Sequence, residues 1–147
     1  MKITDALTTE HVVFTSVFEH IERALPNLRT VNEARLLARL VESLLRKHSD
    51  VETNLAYVAL DHVLDRQSEL DRLHQDHEEI DGRLKRVRSA ATCLEARQLL
   101  LAALRASREH FHREEQTVFP LIEKVLRGDT LTGLGQAWRQ RQSASAS

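Results

Sequence analysis

The sequence predicts an all-α fold, an up-down-up-down four-helix bundle, and three observations predict it. The 147 residues hold only four Gly and two Pro, so breakers are scarce, while Leu, Ala, Arg and Glu, all good helix formers, dominate. Apolar residues recur at spacings of three and four along four successive segments, the pattern of helices that each bury one face. The chain also repeats itself. A shift of 62 residues superposes Glu33-Ala34-Arg35 on Glu95-Ala96-Arg97, His48 on His110 and Glu52 on Glu114, and a shift of 66 superposes Leu7 on Leu73 and His11 on His77. Two related α-hairpins account for both shifts.

Taken in order, the first helix starts near Thr4 or Asp5 and runs to Leu25, ahead of Pro26-Asn27, with a stripe of Leu7, His11, Phe14, Phe18 and Ile21. Asn32 is the expected N-cap of the second, whose stripe reads Leu37, Val41, Leu44, Leu45, His48, Glu52, Leu55 and Ala59. The next turn falls at Asp65, Arg66, Gln67 and Ser68, where Ser68 with Asp71 resembles a cap. The third helix carries Leu70, Leu73, His77, Ile80, Leu84 and Val87. Thr92 and Glu95 match a capping box for the fourth, which continues through Leu99, Leu100, Ala103, His110, Glu114, Val118, Leu121 and Val125 until Gly128 ends it. Residues 1–128 thus read as the bundle, and 129–147 as a short helix, Leu131 to Gln140, anchored by Leu134 and Trp138, with a disordered, flexible tail.

Composition removes several classes of function. The 21 basic and 22 acidic side chains are interspersed, which offers no basic stripe to nucleic acid and no lipid-facing cluster. Neither partner is expected. No stretch of about 18 apolar residues appears, and Asp5 and Glu10 interrupt the start of the chain. Cys93 is the single cysteine, which rules out an internal disulfide or a thiolate metal cage and fits a reducing compartment. A cytoplasmic location is the expectation.

Eight histidines remain to be explained. Residues four apart on a helix stand one turn above each other, so His48 with Glu52, and His110 with Glu114, each form a pair that can reach one ion. His11 and His77 lie in the apolar stripes of the other two helices. Four imidazoles and two carboxylates therefore face one interior. A lone His on an apolar face is more often a hydrogen-bonded core residue than a ligand. Here six groups recur in register across two hairpins, and burying them without a cation would cost several kcal/mol or demand an elaborate ion-pair network. The mixed nitrogen and oxygen donors suit a first-row metal, iron above all where carboxylates bridge two ions. His74, three residues before His77, is either a fifth imidazole ligand or a member of the solvent-facing side, about 60° off the stripe. His20 and His112 point away from the stripe, and His62 lies about 21 Å along the helix from His48.

These motifs resemble the hemerythrin-like, or HHE cation-binding, family over residues about 5 to 126. Its pattern of one His on the first helix, H-x-x-x-E on the second, His on the third and H-x-x-x-E on the fourth is met by His11, His48 with Glu52, His77, and His110 with Glu114. The run HREEQTVFPLI, His112 to Ile122, resembles the family's E-E-x-x-x-F-P tail. The resemblance implies two non-haem iron ions bridged by the two glutamates and an oxo group, capped by histidines, and a small ligand such as oxygen, peroxide or nitric oxide. Two departures set the chain apart from oxygen-carrying members: Leu73 stands four before His77 where they typically have His, and Glu114 follows His110 by four where they have Asp at five. The expected function is binding or sensing of oxygen or a related small oxidant at the iron site. The alternatives are a di-iron redox enzyme that decomposes peroxide, an iron-donating repair factor for damaged metal centres, and a metal-free helical interaction module.

Overall fold

The computed structural model describes residues 1–61 and 67–144, and among them there are five helices and no strand. Helix α1 spans Ile3–Ala24 and tightens into a 3-10 turn at Leu25–Asn27, where Pro26 cannot donate the next helical bond. Helix α2 runs over Val31–Val51, widens into a π-helical stretch at Glu52–Tyr57 and finishes with Val58–Asp61. Helix α3 is Gln67–Ser89. Helix α4 repeats the plan of α2, with an α-helical Cys93–Arg113, a π-helical Glu114–Val118 and a final Phe119–Val125. Helix α5 is Gly128–Ala144.

Three boundaries differ from the expectation, each for a local reason. The cap of α2 is Thr30, not Asn32: its hydroxyl accepts from Glu33 N at 3.2 Å while Glu33 Oε2 accepts from Thr30 N at 2.8 Å. This reciprocal pair satisfies two orphan donors at once, and Asn32 is left on the surface accepting from Arg35. Thr92 caps α4 as expected, with Glu95 N donating to its hydroxyl at 3.1 Å, but the return bond of the expected capping box is shifted by one residue, Glu95 Oε2 accepting from Ala91 N at 2.9 Å. Helix α4 ends at Val125, because Leu126 is extended, and Gly128 begins α5 instead of closing α4. Helix α5 is accordingly longer than the expected Leu131 to Gln140. The expected turn at Asp65 and Arg66, and His62, lie outside the described residues, and α3 is already under way at Gln67.

The short links after α1 and α3 make each hairpin antiparallel. Helix α3 lies along α2 and α4, α1 touches α2 and α4, and α5 lies against α1. The core divides into two apolar clusters. One gathers Phe14, Phe18, Val41, Leu45, Ile80, Leu84, Leu100, Leu104 and Phe111; the other gathers Ile3, Leu7, Val51, Tyr57, Leu73, Phe119, Ile122 and Leu131. Along α1, α2 and α3 the seam between the clusters falls at an inward histidine, His11 between Leu7 and Phe14, His48 between Leu45 and Val51 and His77 between Leu73 and Ile80, and along α4 it falls between Phe111 and Val118, just past His110.

The cap assignment is testable. Thr30→Ala should destabilise the protein by about 1 kcal/mol, whereas Asn32→Ala should leave the denaturation midpoint nearly unchanged. Urea unfolding of the two variants checks it, and a larger loss for Asn32→Ala would contradict it.

Candidate metal centre

At the seam, His11, His48 and His110 are each 2 % exposed and Glu52 and Glu114 not at all. Their Nε2 and carboxylate atoms point at one another across the bundle. His11 Nε2 lies 2.9 Å from His48 Nε2, and His77 Nε2 lies 2.8 Å from His110 Nε2. Glu52 sits between the pairs, with Oε1 2.8 Å from His48 Nε2 and Oε2 3.3 Å from His77 Nε2. Glu114 Oε2 faces the same two pairs, 3.4 Å from His11 Nε2 and 3.4 Å from His110 Nε2. Six of the seven residues expected at the site thus converge. His74 does not join them: it is exposed, with its ring edge-on to Tyr57 at 5.7 Å between centroids. His20 and His112 are exposed, as their positions on the helices require.

The donors fall into two overlapping groups of four, His11, His48, Glu52 and Glu114, and Glu52, His77, His110 and Glu114, each with its ligand atoms within 4.8 Å of one another. Both glutamates belong to both groups. Whether these groups suit a cation is tested by the oxygens: Glu52 Oε1 and Oε2 and Glu114 Oε2 are buried without a hydrogen bond. The 2.8 Å approach of His48 to Glu52 is close in distance but out of line for an N–H donor. Buried carboxylate oxygens left so are costly, and an ion bound by them and by the imidazoles would remove that cost. The imidazole separations agree, since two ligands at right angles on an ion about 2.1 Å from each stand roughly 3.0 Å apart.

Outside this ring, three imidazoles donate from Nδ1 to carboxylates. His11 donates to Glu115 at 2.8 Å, His48 to Glu10 at 2.7 Å and His110 to Asp76 at 3.1 Å, where Arg113 also donates to Asp76. Such bonds fix the tautomer that leaves Nε2 free to ligate. Sequence reasoning missed these acids, although the 66-residue shift superposes Glu10 on Asp76, each directly preceding an inward His. Glu115 has Thr53 as its counterpart in the 62-residue shift, so the hairpins are not equivalent.

Tyr57 is a second polar group that helical spacing alone does not bring to the site. Its ring packs in the interior, 2 % exposed, and its hydroxyl donates to Glu114 Oε1. The cause is the π-helical stretch that begins at each glutamate. Phe119 N–H reaches back five residues to Glu114 O, and the wider turn relieves the clash that Pro120 would make inside a regular helix. The extra residue rotates the remainder of each helix. Ala56, Tyr57 and Leu60 are buried in place of the expected Leu55 and Ala59, and Phe119 and Ile122 in place of the expected Leu121 and Val125.

The charges set a pH dependence. Burial disfavours a charged imidazole, yet contacts with Glu114 and Glu52 outweigh it and push His11 up to about 9. Burial is likewise outweighed at His48 by the charge of Glu52 and the bond to Glu10, which push it up to about 10. Burial favours neutral Glu52, but His48, His11 and His77 hold it well below the carboxylate range. In the metal-free protein, protons on His11 and His48 therefore offset the buried carboxylate charge. Histidines raised above their unfolded value of 6.5 contribute stability that is full below that pH and lost as pH rises through about 9 and 10. The Glu52 contribution is present above 4.5 and lost as pH falls through its depressed folded value. The thermal midpoint of chelator-treated protein should fall between about pH 7 and pH 10, and calorimetric scans across that range check it; a flat midpoint would contradict this balance.

Among the described residues no helix is long and apolar enough to cross a membrane. No curated protein and no solved structure matches the chain significantly. A family model described as the hemerythrin HHE cation binding domain matches residues 2–122, a span that includes all six converging side chains. With its helical bundle and its His and Glu cluster able to hold a metal ion, the chain belongs to the hemerythrin HHE cation-binding family.

Proposed function

We propose that the protein is a non-haem di-iron protein that binds or senses oxygen or a related small oxidant, peroxide or nitric oxide, at a carboxylate-bridged pair of ions. The observation that carries this reading is the sharing of Glu52 and Glu114 by both donor groups, with three of their four oxygens buried and without hydrogen bonds. One ion would be held by His11 and His48, the other by His77 and His110, and the glutamates would span the two. Iron bound there supplies redox chemistry and open coordination positions, since six side chains cannot saturate two six-coordinate ions.

A route for a small ligand supports the same reading. A cavity of about 240 Å³ between α2 and α3 reaches His48, His77 and His110, and its walls combine Leu45, Ile80, Leu84 and Phe111 with charged side chains such as Glu42, Arg46 and Asp81. A cavity of this size ending on imidazoles suits a small molecule more than an extended organic substrate. His77, at 16 % side-chain exposure, is the most accessible of the four.

Tyr57 favours a second reading, a redox enzyme that decomposes peroxide. Burial, with the charges of Glu52 and Glu114, raises its hydroxyl well above the usual tyrosine value, so it stays protonated and holds a proton against Glu114. General acid catalysis by a positioned side chain is worth up to about 10²- to 10⁴-fold in rate, and less the further the donor's value lies above the working pH.

Anaerobic Fe(II) reconstitution with iron counted per chain tests the main reading. Wild type should take up two irons and show near-ultraviolet absorption after oxygen is admitted, and Glu52→Ala combined with Glu114→Ala should lose both. Equal uptake by the two proteins, or none by either, would refute it. Peroxide turnover separates the readings: an enzyme should turn over many equivalents and lose at least about tenfold in Tyr57→Phe at unchanged iron content, whereas a binding protein should consume no more peroxide than its Fe(II) can reduce.

A further inference from the structure

The three carboxylates that orient imidazoles are not held alike. Glu115 neighbours a ligand on α4 and Asp76 is fixed by Arg113, but Glu10 is fixed by the fifth helix. While Glu10 Oε2 accepts from His48, its Oε1 accepts from Trp138 Nε1 at 3.1 Å and from Gln142 Nε2 at 2.9 Å. A continuous chain of hydrogen bonds thus runs from α5 through α1 to a candidate ligand on α2. Trp138 is the only tryptophan in the sequence, and it spends its one donor on this carboxylate.

The docking of α5 has its own apolar basis. Leu131 is buried in the cluster that holds Ile3, Leu7 and Tyr57, and Leu134 and Trp138 pack against it. Gly135 sets the approach: a Cβ there would lie 2.2 Å from Met1 O and 3.1 Å from the Lys2 carbonyl carbon. No larger residue fits without moving α5 away from the start of α1. That shift would pull Trp138 and Gln142 off Glu10 and free Glu10 to turn from His48.

We infer that Trp138 and Gln142 are positioning residues of the metal centre, acting through Glu10 on His48, so that docking of the C-terminal helix and metal binding strengthen each other. The inference rests on metal binding by the His and Glu cluster but not on which metal it holds or what that metal does. Removing an outer partner of a ligating imidazole weakens metal binding by about 10- to 100-fold, and linkage requires the reverse effect to be equal.

The test is an anaerobic Fe(II) titration against a competing chelator on wild type, Trp138→Phe, Gly135→Val and, as a control on the same helix, the exposed Gln140→Ala. Trp138→Phe keeps an aromatic ring and removes the donor; Gly135→Val displaces the helix without touching a ligand. Both should bind Fe(II) about tenfold or more weakly, with the metal-free unfolding midpoint of Trp138→Phe close to that of wild type, and Gln140→Ala should match wild type. A second measurement uses wild type alone: amide hydrogen exchange in α5 should slow on Fe(II) loading by a factor comparable to the affinity loss. That measurement decides the matter should Gly135→Val fail to fold. Unaltered affinity in Trp138→Phe together with α5 exchange indifferent to Fe(II) overturns the inference and leaves the metal site standing, whereas wild type that binds no Fe(II) overturns both.

Discussion

Two carboxylates, Glu52 and Glu114, lie wholly buried between two apolar clusters, and the rest of the structure is arranged around compensating their charge. Alone, either would cost several kcal/mol in such surroundings. Four imidazoles face them, one from each bundle helix, and an outer layer of Glu10, Asp76 and Glu115 orients three of those imidazoles. The buried layer can be neutralised by protons or by cations, and the two compete for the same lone pairs. The raised values of His11 and His48 measure how strongly the site calls for positive charge when protons alone supply it.

Backbone geometry serves this layer as directly as side chains do. Both H-x-x-x-E pairs end where a π-helical stretch begins, so the amide of each glutamate donates to two carbonyls, those of residues four and three before it. The inserted residue turns the remainder of each helix so that Tyr57 and Phe119 meet the interior at equivalent positions. One carries a hydroxyl and the other does not, and of the two only Tyr57 donates a hydrogen bond to Glu114. π-helical insertions inside α-helices often mark functional positions, and here the insertion delivers a polar group to the site from a place that regular helical spacing would have turned aside.

Near-symmetry of the two hairpins, and the places where it breaks, give the halves of the centre different surroundings. Glu10 and Asp76 are counterparts and each orients the histidine of its own hairpin's second helix. Glu115 corresponds to Thr53, which cannot serve His77 as Glu115 serves His11. The His11 and His48 half is tied to α5 through Glu10, while the cavity between α2 and α3 reaches His77 and His110 together with His48, and His77 is the most exposed of the four imidazoles.

By itself, the sequence determined the bundle, its two-hairpin repeat and the six converging side chains, because these follow from periodicity. Four-residue spacing puts His48 over Glu52 and His110 over Glu114 on any helix, and His11 and His77 fall in stripes whose burial is dictated by Leu7, Phe14, Leu73 and Ile80. The Thr30 capping box was equally legible in Thr30 and Glu33, although Asn32 is also a good capping residue. Tertiary structure decided what depends on distant segments or on departures from about 3.6 residues per turn. Tyr57 reaches Glu114 only because the helix widens after Glu52, Glu10 reaches His48 only across two helices, and Trp138 reaches Glu10 only because Gly135 lets α5 close on the first residues of the chain. Local spacing carries the candidate ligands, whereas the groups that orient them come from contacts between residues as distant in the chain as Glu10 and Trp138, which no periodicity encodes.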